Sequence, residues 1–292
     1  MEKYLILGAS SAIAKYFTLR LRREDKLVYE LSSNKGKKNS YNVDSIRNKI
    51  NVLNPEVIIN FVGTYTSDYN ESYLVNVLIS KNLFDAAIKE NFKGKIILIG
   101  SASEYGVQEK YTEECIEKPR SIYGLTKLMQ HSLFQCYTNS YNIKANYIRI
   151  FNIVFDKVDE KLFIGNFSRQ LKKVLKGKSK EIKLGNLNSY RDFLLIDDVY
   201  DGFMKVIEKG NNGEVYNLGM GKSIFIRDFV NDVFKELGLK LKLIIGEVDS
   251  IGKIRNKVFA DIDNIKSINW SPKFNYNDLI KEFCKSLRED LD

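Results

Sequence analysis

Short apolar runs rich in β-branched residues alternate with longer helix-periodic segments through the first half of the chain. Strands that are apolar on both faces need cover on both, and crossover helices between parallel strands supply it. The pattern predicts strands over Lys3 to Leu7, Lys26 to Leu31, Val57 to Phe61, Ile96 to Ile99 and Ala145 to Ile150. Helices are expected near Ala12 to Arg23, Ser45 to Leu53, Ser72 to Lys89 and Tyr123 to Tyr141. The expected fold class is α/β, centred on a doubly wound parallel sheet.

After Asn152 the rhythm changes. A lysine-rich helix is expected around Phe167 to Leu175, then a strand Glu181 to Leu184 and a helix opened by Asp197 and Asp198. A strand Val215 to Leu218, a helix Ile226 to Leu237, a strand Lys240 to Ile245 and a last helix from Asn277 to Leu287 follow. These make a smaller α/β lobe on the C-terminal side. With no internal repeat and no linker, the two parts are expected to interleave. Residues 1–162 with about 196–222 form the sheet domain, and 163–195 with about 223–292 form the lobe.

Composition narrows the chemistry. No apolar stretch nears the ~18 residues that span a bilayer, so no membrane partner is expected. Cys115, Cys136 and Cys284 are far apart and His131 is the single histidine. That leaves no metal cluster and points to a reducing cytoplasm. Cys136 is expected to fill core, and His131 to pack rather than catalyse. The formal charge is +9, but the 46 basic residues are mostly lysines scattered among acids. Such a pattern argues against nucleic acid and favours a small anionic substrate.

Strand Lys3 to Leu7 runs through Gly8-Ala9-Ser10-Ser11-Ala12-Ile13-Ala14 into a helix. At such a turn, backbone N–H groups and a helix N-terminus cradle a pyrophosphate. Gly8 is its one glycine, while Ser11 and Ala14 are small enough for close approach. The second strand ends in Glu30-Leu31-Ser32-Ser33-Asn34-Lys35. Serines followed by lysines suit a ribose 2′-phosphate, which favours NADP(H) over NAD(H); Glu30 is the alternative ribose ligand.

Tyr123-Gly124-Leu125-Thr126-Lys127 puts a phenol and an ammonium four residues apart on one helical face. The cation is expected to lower the tyrosine pKa from ~10, making a proton shuttle for an alcohol or ketone. Upstream, strand Ile96 to Ile99 ends at Gly100-Ser101-Ala102-Ser103-Glu104-Tyr105-Gly106. Ser101 thereby brings a hydroxyl to the sheet's carboxyl edge, where it can bond the oxygen that Tyr123 protonates.

In the order and spacing of these motifs the chain resembles the extended short-chain dehydrogenases/reductases of the nucleotide-sugar epimerase/dehydratase/reductase group. The likeness continues through Asn60-Phe61-Val62-Gly63, Asn76-Val77, Arg149-Ile150-Phe151-Asn152 and Gly185-Asn186-Leu187. It goes on through Arg191-Asp192-Phe193, Asp197-Asp198-Val199 and Val215-Tyr216-Asn217-Leu218-Gly219 to Trp270-Ser271-Pro272-Lys273. The resemblance implies a Rossmann-type NADP-binding domain and a nucleotide-sugar-binding lobe. By it Gly8, Ser10, Ser11, Ala12 and Ile13 bind the cofactor, as do Ser32, Ser33, Asn34 and Lys35. Asn42, Val43, Phe61, Val62, Gly63 and Ile99 complete that set. Ser101, Tyr123 and Lys127 are catalytic, with Tyr123 and Lys127 also touching the cofactor. Thr64, Ser101, Ala102, Ser103, Asn152, Asn166 and Arg255 contact a nucleotide-diphosphate sugar, and Arg191 clamps its diphosphate. A homodimer through a four-helix interface is implied as well. Val154-Phe155-Asp156 departs from the Gly-Pro usual after the asparagine motif.

The 4,6-dehydratases of this group carry an adjacent acid pair where this chain has Ala102 and Ser103. Glu104 is expected to lie on the opposite face of a strand extension. The resemblance therefore implies a reductase of a 4-keto-6-deoxy sugar nucleotide, most similar to the GDP-4-keto-6-deoxymannose reductases. The alternative is 4-epimerisation with retained NAD, ahead of 4,6-dehydration and of non-catalytic dinucleotide sensing.

Overall fold

Strand β1 (Lys3–Leu7) pairs in parallel with β2 (Leu27–Leu31) on one side and β3 (Val57–Asn60) on the other. This is a computed structural model, which describes residues 1–33, 40–108, 110–240, 242–245 and 257–289. Parallel strands β4 (Lys95–Ser101) and β5 (Ala145–Ile150) continue the sheet beyond β3, and Val215–Leu218 forms its edge. The order is therefore β2-β1-β3-β4-β5, and the winding reverses between β1 and β3. Loops leaving those two strands diverge, which opens a crevice at their carboxyl ends. Leu5, Leu7, Ile58, Ile96 and Leu98 of the sheet pack with Ile46, Leu83, Phe84 and Phe134 of the helices. Each such buried side chain contributes about 1.5–3 kcal/mol.

The carboxyl edge is not flush. Leu7 stands opposite Leu31 and Asn60, and Asn60 opposite Leu98. Strand β4 thus carries Ile99, Gly100 and Ser101 past the end of β3, paired there with β5 through Ile148, Arg149 and Ile150. Helix starts flank this edge. Ser11 caps Ala12–Arg23 by accepting from Ala14 N at 3.2 Å, and Ser121 caps Ile122–Tyr141 by accepting from Gly124 N at 3.0 Å. The helix expected over Ser72 to Lys89 begins earlier, at Tyr69–Ser72. It passes through a π-helical turn, Tyr73–Leu78, into Ile79–Lys89. Buried Asn76 lies in that turn, and its side chain bonds Thr64 N–H (2.9 Å) and Thr126 Oγ1 (3.0 Å). The widened turn serves a tertiary bond, as π-bulges commonly do at sites.

The chain divides into two compact units, residues 1–108, 113–150 and 203–217 in one and 109–112, 151–202 and 218–292 in the other. The first division falls after Ile150 rather than at 162. Asn152–Val154 leaves the large sheet and pairs instead with Phe193–Leu195. In this second unit Glu181–Leu184 pairs in parallel with Lys242–Ile245, and Tyr190–Arg191 antiparallel with Ile224–Phe225. Phe167, Phe193, Phe229 and Phe283 form its aromatic core. Buried Asp192 accepts from Met220 N (2.7 Å), Gly221 N (2.9 Å) and Ala260 N (2.9 Å). Cys136 is exposed, contrary to expectation. Its helix buries Lys127, Gln130, His131, Phe134 and Thr138, and Cys136 falls off that stripe. Among the described residues no helix is long and apolar enough to cross a membrane, and no group of His, Cys, Asp and Glu could hold a metal.

Candidate active site

The β1 turn lies directly on the turn that leaves β3. Gly8 has φ +78°, and a Cβ on it would stand 2.7 Å from Val62 N and 2.8 Å from the Phe61 carbonyl carbon. Only glycine allows both the backbone angle and the approach. Beyond it Ser10 is exposed, while Ser11, Ala12 and Ile13 are half-buried at the start of a helix. The leading N–H groups of a helix lack intrahelical acceptors. This cradle fits a pyrophosphate. Phe61 is buried, Val62 N–H donates to Asn60 Oδ1 (3.0 Å), and Gly63 is exposed. At the tip of β2, Glu30 pairs with Arg22 at 2.9 Å, with Ser32 half-buried and Ser33 exposed beyond it. Asn34 and Lys35 lie outside the described residues. Asn42 accepts from Ser45 N (2.8 Å) as a helix cap, and Val43 packs on the core.

Ser101, Tyr123 and Lys127 meet at the projecting end of β4. The Ser101 hydroxyl lies near enough to the Tyr123 phenol to favour its ionised form, and Ser101 Oγ accepts from Ser103 N at 3.2 Å. The helix can begin against this turn because residue 124 is glycine: a Cβ there would collide with the Ser103 carbonyl. The Tyr65 ring meets that of Tyr123 edge-on, centroids 5.0 Å apart. Lys127 is buried and donates to Ile99 O (2.8 Å) and Gln130 Oε1 (3.0 Å).

The electrostatics differ from the expectation. Burial, helped by Glu104 and Tyr65, pushes the Tyr123 phenol up to about 12 against the lowering effect of the nearby Ser101 hydroxyl. Burial brings the Lys127 ammonium down to about 8, with Glu104 opposing. The ammonium donates to a main-chain carbonyl and an amide oxygen, and burial outweighs every lowering influence on the phenol. Near neutral pH both groups hold their protons, a state suited to proton donation.

Glu104 also departs from the expected strand extension. Ala102–Glu104 forms a 3-10 turn whose first N–H groups need acceptors. Ser101 Oγ and the Glu104 carboxylate answer each other there as a capping box. Glu104 is fully buried and its Oε1 accepts from Ser101 N at 2.6 Å. Ser101 to Glu104 carries the Ser-x-x-Glu signature, the signal by which this turn is legible in the sequence. Ala102 and Ser103 are half-buried at the same edge, beside Ser101.

A model of the NAD dependent epimerase/dehydratase family matches residues 4–219, most of this edge included. The chain belongs to that family. It is 28% identical over 231 residues to a dTDP-4-dehydro-6-deoxyglucose reductase of Escherichia coli, covering 76% of this chain and 68% of that protein. It is 26% identical over 186 residues to a GDP-6-deoxy-D-mannose reductase of Pseudomonas aeruginosa, covering 60% of this chain and 61% of that protein. A putative UDP-glucose 4-epimerase of Methanocaldococcus jannaschii is 25% identical over 83% of this chain and 80% of its own. In fold the chain is similar to RMD from Pseudomonas aeruginosa, solved with NADPH. The TM-score is 0.87 at 20% identity over 99% of this chain and 100% of that one. A Thermotoga maritima UDP-glucose 4-epimerase, solved with UDP-glucose, gives 0.86 at 19% identity over 99% of this chain and 100% of that one.

The family's sheet-edge residues thus gather within the first unit, where Thr64 is held by Asn76 through its N–H and its carbonyl oxygen. The second unit carries the other expected contacts. Asn152 donates to Asp192 O from both its backbone N and its Nδ2 (3.0 Å each), so its amide is used to dock the Phe193 strand. Asn166 Oδ1 accepts from Arg169 and Gln170 at 3.0 Å each. Arg191 is half-buried and donates to Tyr190 O at 2.8 Å, while the Asp192 carboxylate beside it accepts from main-chain amides. Arg255 lies outside the described residues.

Proposed function

We propose that this member of the family is an NAD(P)H-dependent reductase of a nucleotide-linked 4-keto-6-deoxy sugar. The observation that carries the reading is the buried, proton-bearing Tyr123 phenol near the Ser101 hydroxyl at the sheet edge, next to Ala102 and Ser103 where dehydration would need two acids. The names of the two reductase relatives support the same reading. The Gly8 turn and the helix start at Ser11 would hold NADPH, which would supply the hydride when bound. Ser101 holds the substrate carbonyl oxygen by a hydrogen bond, and Tyr123 gives that oxygen its proton, a contribution of about 10²–10⁴ in rate. Lys127 keeps a positive charge beside the pair. NADP(H) is favoured because Glu30 is already paired with Arg22 and serines follow it. In the second unit Asn152, Asn166 and Arg191 are the proposed contacts for the sugar nucleotide, and the guanidinium suits a diphosphate.

The sheet domain and the lobe keep the roles of cofactor and substrate binding. Exposed Tyr69, Tyr73, Leu74, Leu125 and Tyr141 on the helices after β3 and β4 suit a second copy of the chain, giving a homodimer. Widely spaced cysteines suit the cytoplasm. The test is to mix purified protein and NADPH with GDP-, dTDP-, UDP- and CDP-linked 4-keto-6-deoxy sugars and follow nicotinamide absorbance. One of them is expected to consume NADPH in equal amount. Tightly held NAD with C4 epimers formed and no net oxidation would overturn the reductase in favour of the epimerase.

A further inference from the structure

Beneath the site lies a buried polar cluster that the proton-transfer steps do not use. Glu104 Oε2 accepts from Arg149 Nε at 2.8 Å, and both side chains are fully buried. Arg149 also reaches Glu117, His131 Nδ1 (2.9 Å) and the Tyr105 hydroxyl (3.0 Å), with its guanidinium over the Tyr105 ring. The Tyr147 hydroxyl lies 2.9 Å from Glu104 Oε1 and 3.0 Å from the Lys127 carbonyl oxygen. One carboxylate therefore touches the backbone of Ser101 directly and that of Lys127 through a single phenol. The space for it is specific: a Cβ on Gly100 would stand 2.7 Å from Glu104 Oε1 and overlap the Tyr147 ring.

We propose that Glu104 is a positioning residue for the reduction proposed above, holding Ser101 in register with Tyr123 and Lys127 and supplying the buried negative charge beside them. Arg149 and Tyr147 hold Glu104 in turn. A fully buried carboxylate costs several kcal/mol of desolvation, so its partners must over-determine its place. The groups that face the acid–base pair are few. Ser101 and Glu104 come from the end of β4, Tyr65 from the loop after β3, Tyr147 and Arg149 from β5, and Gln130 and His131 from the helix itself. Glu117 balances Arg149 from the segment before that helix. Of these, Glu104 acts electrostatically on both members of the pair, opposing loss of the proton from Tyr123 and from Lys127.

The test is the pH dependence of turnover in Glu104→Gln and Glu104→Asp. Glu104→Gln keeps an oxygen for Ser101 N–H but removes the charge. The alkaline limb of kcat is expected to move down by about one pH unit, with KM for NADPH unchanged. Glu104→Asp keeps the charge but draws it back from Ser101, so the limb stays in place and kcat falls about tenfold. Equal, pH-independent losses in both variants, tracking their melting temperatures, would show a merely structural role and overturn the proposal. A second readout needs no substrate: the Lys127 ammonium in ¹⁵N-lysine-labelled protein, assigned with Lys127→Arg. Its midpoint is expected to fall in Glu104→Gln, and an unchanged midpoint overturns the proposal. Wild-type protein inert toward every sugar nucleotide, with the Lys127 midpoint moving as expected, would sink the reductase alone.

Discussion

Replacing Arg149 by methionine tests how the first unit stores its buried charge. The guanidinium is fully buried and donates to Glu104 and Glu117 at once, with Tyr105 and His131 as further partners. Methionine fills most of the volume and leaves two carboxylates without their cation, one of them fully buried. Stranding one partner of a buried pair costs about 3–5 kcal/mol. For a urea slope of about 2 kcal/mol per molar, the midpoint should drop by about 1.5–2.5 M. Urea titration followed by far-ultraviolet circular dichroism reads this directly. The penalty should shrink in acid, because protonating the stranded carboxylates removes the uncompensated charge. Arg149→Lys should recover less than half of the loss, since an ammonium cannot fork to two carboxylates. A drop below about 0.5 M, corresponding to about 1 kcal/mol, would refute the reasoning. It would mean that the cluster hydrates or rearranges at little cost.

Other outcomes follow from the same geometry. Tyr123→Phe should lower kcat by about 10²–10⁴ while leaving NADPH affinity and melting temperature near wild type, checked by turnover and calorimetry; near-normal turnover would remove Tyr123 from the chemistry. Gly8→Ala places a methyl 2.7 Å from Val62 N at φ +78° and should weaken NADPH binding by at least about tenfold in titration calorimetry. Unaltered affinity would place the cofactor elsewhere. Glu117 is held down to about 2 by the His131 and Arg149 bonds against burial, which opposes them. A carboxylate depressed in the folded state gives stability that is present above its unfolded value of ~4.3 and lost as pH falls toward 2. Glu117→Gln should therefore be less stable at neutral pH and lose less between pH 4.3 and 2, as read from acid melting curves.

Much of the fold was legible because period and punctuation are local properties. β1 and β5 run as expected, Lys3–Leu7 and Ala145–Ile150, since β-branched runs bounded by polar turns admit few other states. The helix Ala12–Arg23 begins where Ser11 caps it. The candidate triad was legible for a similar reason: Tyr123 and Lys127 share a helix face by spacing, and Ser101 ends a strand.

Tertiary structure alone decided the rest. Spacing brings Lys127 to the face of Tyr123, but only packing turns its ammonium to Ile99 O and Gln130, leaving the phenol protonated by burial. Alternation would have sent Glu104 outward along a strand. The Ser101 cap ended the strand, and Arg149, forty-five residues later, gave the carboxylate a buried partner. Cys136 and the division after Ile150 were settled in the same way, by what the rest of the chain left covered. A one-dimensional pattern fixes which residues can face together. The dielectric, the partner and the proton each of them keeps depend on neighbours that folding alone assembles.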